Sequence, residues 1–122
     1  IENKAGVVLI TGDIEREVEH QLVQYSAQKI KADIVVMPHH GSGTSSTMGF
    51  IDAVAANHVL VSAGYKNHFG FPRGDVLSRW GQAGTKVMST VQSGAMVVKL
   101  DGDGGLLGPV GYRRVARRYW LQ

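Results

Sequence analysis

Two adjacent imidazoles follow a proline in Met37-Pro38-His39-His40-Gly41-Ser42, and a carboxylate closes the earlier run Leu9-Ile10-Thr11-Gly12-Asp13. Imidazole nitrogen and carboxylate oxygen together suit a divalent ion such as zinc, manganese or iron, and a neighbouring imidazole can carry a proton. Side chains alternate along a strand, so both histidines can serve one site only in the turn that Pro38 and Gly41 impose. Asp13 has a second reading as a helix N-cap, because Ile14-Glu15-Arg16-Glu17 after it has the make-up of a first helical turn. Taken with the histidine pair, the pattern favours a metal.

The elements that must position these groups alternate. Apolar runs over 6–10, 33–37 and 58–62 read as strands, and helical spacing follows the first (Val18, Leu22, Tyr25, Ile30) and the second (Phe50, Ile51, Val54). A short helix over 73–82 begins after Pro72 and ends at Gly81 and Gly84. Strands alone come next, over 86–88, 95–100 and from Leu106, separated by turn signals at Ser93-Gly94 and across 101–105. Asp13 and His39-His40 thus fall after the carboxyl ends of strands, where sites gather in open α/β sheets. His20 and His58 read as surface or edge residues and Trp80 as core.

With 122 residues, 43% hydrophobic, the chain is expected to form one modest core. Cysteine is absent, which excludes a disulfide frame and a thiolate metal site. No apolar run approaches the roughly 20 residues of a membrane span, and no signal-peptide pattern opens the chain, so a soluble unit is expected. Thirteen Lys plus Arg against ten Asp plus Glu leave a formal charge of +3. The basic residues Arg113, Arg114, Arg117 and Arg118 gather beside Tyr112, Tyr119 and Trp120, giving a basic aromatic tail over 111–122. That tail reads equally as a nucleic-acid contact and as a solvated basic surface.

Leu9-Ile10-Thr11-Gly12-Asp13, then 32–42 with Thr44-Ser45-Ser46, then Ser62-Ala63-Gly64-Tyr65-Lys66-Asn67 with Phe69-Gly70 and Pro72, resemble the metallo-β-lactamase-type domain of the ComEC competence proteins. The resemblance implies an α/β fold, the C-terminal half of an αββα sandwich, with a mixed sheet and helices on one outer face. It implies a parent protein in the bacterial inner membrane that carries DNA during natural transformation, with this segment lying outside the bilayer. The His-x-His-x-Asp-His-like motif of such domains does not precede Asp13 here, so residues 1–122 are expected to be a partial domain.

By that resemblance Asp13 and His40 are metal ligands for zinc or manganese, and His39 either orients a ligand without touching the metal or donates a proton. Relatives of this kind often read Gly-His-Pro where this chain has Gly70-Phe71-Pro72, and His68 is the nearest replacement imidazole. The implied activity is metal-dependent phosphodiester hydrolysis of the non-imported DNA strand during natural transformation, with His39 or His68 protonating the leaving oxygen. The other reading is a catalytically silent DNA-binding or assembly module. Ser42, Thr44 and Ser45 suit either a phosphate at a helix start or N-capping. Lys66, Arg73 and the four terminal arginines are candidates for the DNA backbone, with Tyr65, Phe69 or Phe71 for bases. The partners expected are DNA, the rest of the domain and the membrane channel of the same polypeptide. Alone, the segment is expected to hold metal weakly, to be inactive, and to self-associate through a bared sheet face including some of Val7, Leu9, Val35, Val59 and Val97.

Overall fold

The computed structural model describes residues 1–64 and 67–115, the side chains of 114 and 115 excepted. A β-branched run, Ile34–Val36, forms β3 at the heart of a five-stranded sheet, and both Ile34 and Val35 are fully buried. Burial on both faces is what a central parallel strand demands. On one side of it lie β2 (Gly6–Leu9) and the short β1 (Glu2–Asn3); on the other lie β4 (His58–Val61) and β5 (Lys86–Ser89). β1 runs antiparallel to β2, while β2 to β5 are parallel and adjacent in chain order, in the registers Leu9↔Val35↔Val59↔Val87.

Right-handed crossovers between neighbours taken in order put every connecting helix on the same face. These helices are α1 (Arg16–Ser26), α2 (Met48–Val54) and α3 (Gly74–Gln82). Phe50, Ile51, Val54, Val76 and Trp80 from the helices pack on Val35, Val59 and Val61 from the sheet, with Leu9, Leu22, Val23 and Val87 at the rim. The mixed α/β architecture expected from the sequence is present.

The opposite face carries a hairpin of β6 (Met96–Asp101) and β7 (Gly105–Gly111), which forms a separate two-stranded sheet. It docks near the β1/β2 edge. A Cβ placed on Gly6 would lie 3.5 Å from Leu100 Cδ2 and 3.6 Å from Leu106 Cδ2, and Asn3 Nδ2 donates to Leu100 O at 3.1 Å. Short helical turns, α4 (Thr90–Ser93) and α5 (Tyr112–Val115), flank the hairpin, joined where Tyr112 N donates to Ala95 O.

Three expectations change. The buried side of α1 carries Glu19, Leu22 and Val23, whereas Val18 and Tyr25 face solvent, because the Glu19 carboxylate is needed inside. α2 begins at Met48, three residues later than the serines suggest, capped by Thr47 Oγ1 accepting from Phe50 N. Val35 and Val59 are sealed under the helices and Val7 and Leu9 are partly buried against the same core; of the five valines and leucines expected at a bared face, only Val97 is exposed.

Candidate functional site

Parallel strands β2, β3 and β4 end at one edge, so the loops after them meet there. Thr11 Oγ1 donates to Val36 O at 2.6 Å and His39 N donates to Gly12 O at 2.9 Å, which clamps the Thr11-Gly12-Asp13 loop to the histidine turn. His39 (φ 48, ψ 42) and His40 (φ 54, ψ 21) are both left-handed, followed by Gly41 at φ 86. For two consecutive residues with a Cβ this costs about 1–2 kcal/mol each. Strain of this kind is held in place by surrounding bonds and collects at functional sites.

His40 Nδ1 lies 2.8 Å from Ser62 O. A carbonyl only accepts, so Nδ1 carries the hydrogen and Nε2 of the neutral ring keeps its lone pair. Nε2 stands 3.6 Å from Asp13 Oδ1, too far for a good hydrogen bond. Two donors about 2.0–2.1 Å from a shared tetrahedral ion are separated by about 3.4 Å, so the pair fits one edge of a divalent metal's coordination shell. The imidazole anchored through its other nitrogen to a backbone carbonyl has the arrangement seen in metal-binding histidines. Among the described residues, no group of three or more His, Asp or Glu side chains converges.

His39 Nδ1 is 3.2 Å from Glu15 Oε1 but off the hydrogen-bond direction, and its ring meets Phe71 edge-on with centroids 6.1 Å apart. Asp13, His39, His40, Ser62, Asn67, Phe69 and Phe71 line a cleft of about 570 Å³. Phe69 and Phe71 stack at 5.6 Å with their planes 20° apart, and Phe69 is 66% exposed. Asn67 shapes this wall: its Oδ1 accepts from Phe71 N, and its Nδ2 donates to Gly64 O and Phe71 O.

Other candidates are placed differently. His68 is exposed, stacks on the adjacent Phe69 and does not line the cleft. Ser45 is buried and its hydroxyl donates to Pro38 O and Ser42 O, while Ser42 Oγ pairs with Thr44 Oγ1 at 3.0 Å; these hydroxyls brace the loop. Arg73 Nε donates to Asp75 Oδ1 at 3.0 Å, and that bond, foremost among the causes, holds the Asp75 carboxyl below its ordinary pKa. Arg73 is thus already paired with an anion. Arg113 NH1 donates to Val91 O. Lys66, Arg117 and Arg118, with Tyr65, and the side chain of Arg114 lie outside the described residues. Glu15, Glu19 and Asn67 carry local roles that their sequence surroundings do not announce.

The fold and cleft define a mixed α/β unit with its candidate chemistry at the carboxyl ends of parallel strands. The chain is 34% identical over 113 residues to Competence protein ComA of Neisseria gonorrhoeae, covering 93% of this chain and 16% of that protein. It is 30% identical over 104 residues to Uncharacterized protein YcaI of Escherichia coli strain K12 (85% of this chain, 14% of that protein). With ComE operon protein 3 of Bacillus subtilis strain 168 it shares 32% identity over 88 residues (72% and 11%). Relatives so named support a competence-protein family, of whose members the chain spans only a small part. No family model matches the sequence, and no solved structure matches it.

Proposed function

We propose that this chain is part of a metallo-β-lactamase-type domain of a competence protein and contributes to metal-dependent hydrolysis of DNA phosphodiester bonds during DNA uptake. The observation that carries the reading is the Asp13 to His40 pair, 3.6 Å apart with the far nitrogen of His40 tied to Ser62 O. Asp13 and His40 would hold a divalent ion, zinc or manganese, with further donors supplied from outside residues 1–122. When bound, such an ion lowers the pKa of a water and offsets charge on the phosphoryl group. His39, beside Glu15 and within the same cleft, holds a proton for the leaving oxygen. Phe69 and Phe71 offer stacked rings to a base at the cleft wall.

Full-length protein incubated with single-stranded DNA and manganese or zinc tests this. Cleavage is expected with metal, stopped by a chelator, and lost by at least a hundredfold (~10²) in Asp13→Ala and His40→Ala. Binding without cleavage under every metal tried would sink the reading. That outcome would favour the catalytically silent DNA-binding module, which draws support from Phe71 at the cleft wall.

A further inference from the structure

The geometry points to a second anion site, in which Arg16, His20 and Arg79 with Thr44 and Thr47 bind a phosphate of a single nucleic-acid strand. Only the choice of strand as the source of that phosphate rests on the DNA-handling reading above. These side chains line a cleft of about 330 Å³ on the helical side of the Ser42–Thr47 loop, together with Gly43 and Ser45. Arg16 and His20 sit four residues apart on α1 and so share one face of it. Arg79 reaches the same space from α3.

The Arg79 guanidinium is held from behind. One terminal nitrogen donates to Ser45 O at 3.2 Å, the other stands 3.9 Å from Asp75 Oδ2, and Nε is shielded from solvent with no hydrogen-bond partner. A planar fork with five donors, fixed in place and incompletely used, is suited to phosphate oxygens. Among the described residues, Asp75 is the only carboxylate within ion-pair distance of the three basic groups. Glu19, next to His20 in sequence, is turned inward and spends both oxygens on Ser46 N and Thr47 N. Arg16 N donates to Thr44 O at 3.0 Å, which fixes the two walls of the cleft relative to each other.

The cleft is also close to the Asp13 to His40 edge. Arg16 follows Asp13 by three residues and Gly43 follows His40 by three, so each separation is at most about 11 Å even for extended chain. A strand whose phosphate lies at the metal edge reaches the cleft within a few nucleotides.

The test is binding of a labelled single-stranded oligonucleotide to the 122-residue chain in the presence of a chelator, titrated over a range of salt. Arg16→Gln, whose side chain is exposed and makes no ion pair among the described residues, should weaken binding by about three- to tenfold and reduce the slope of log K against log salt by about 0.7. His20→Gln should weaken it further, equally for oligonucleotides of different sequence. Affinity and slope unchanged in the double variant would overturn the site. Inorganic phosphate that shifts the His20 ring resonances as tightly as the oligonucleotide does would overturn the assignment to a strand. The chelator keeps the result independent of hydrolysis, so failure of the catalytic reading leaves it untouched.

Discussion

Glu19 is fully enclosed, and its two carboxylate oxygens accept from Ser46 N at 2.6 Å and Thr47 N at 2.8 Å. Those N–H groups precede α2, where a helix leaves donors unsatisfied, and Ser46 itself is left-handed at φ 58. Glu19→Ala would strand both donors in a dry place, so the unfolding free energy should fall by about 2–4 kcal/mol in urea titrations. Glu19→Gln, with one acceptor left, should cost about half as much; a loss under ~1 kcal/mol for the alanine variant would mean that water takes over the role. Nothing near Glu19 in sequence signals this, because its partners are 27 and 28 residues away. Asp13 and His40 were legible for the opposite reason: each follows an apolar strand closely, and neighbouring parallel strands bring such positions to one edge. His68 lies against its neighbour Phe69 and is not among the residues that line the cleft, a placement that sequence proximity to Phe71 does not reveal.

The Pro38–Gly41 turn is the element on which the cleft depends, and it is fixed from three sides. His39 N bonds to Gly12 O, Ser42 N to His39 O, and Arg73 N to Gly41 O at 3.0 Å. A Cβ on Gly41 would lie 2.7 Å from Pro72 Cα and 2.9 Å from Met37 Sδ, in a backbone conformation at φ 86 that disfavours any side chain. Gly41→Ala is therefore expected to destabilise the protein by about 2 kcal/mol or more and to displace His40 from Asp13. Gly49, inside α2 with open space around it, should respond with the opposite sign, alanine adding about 1 kcal/mol. Paired thermal unfolding curves check both, and two variants shifted in the same direction would refute the argument. Proline and glycine around the histidines announced a turn. The left-handed pair did not show, since non-glycine residues adopt that region only when the surroundings compel it. The strands along 6–100 and the three helices on the parallel sheet were readable from apolar spacing, while the short turn α4 (Thr90–Ser93) and the face of α1 were not, the latter because periodicity treats Glu19 as an outward residue.

The molecule divides its burial unevenly between its two sheets. β3 and β4 sit between neighbours and under three helices, with Val35, Val59 and Val61 fully buried. Among the described residues the β6–β7 hairpin pairs only with itself, and Val97, Leu107 and Val110 are 61%, 47% and 43% exposed. An isolated two-stranded ribbon is marginal in water and depends on what it docks against, here the β1/β2 edge through Leu100 and Leu106. Opening the hairpin exposes partly buried residues such as Leu100 and Leu106, whereas opening β3 or β4 exposes the fully buried core under the helices. Local opening free energies track that difference. Hydrogen exchange followed by mass spectrometry should then find β3 and β4 amides exchanging only through global unfolding, and β6 and β7 amides at least about tenfold faster. Substituting Leu100→Ala should speed exchange in the hairpin and leave β3 and β4 less affected, because the lost contact lies at the dock and not in the core under the helices. Uniform protection across both sheets would instead mean that the hairpin and the parallel sheet unfold as one cooperative unit.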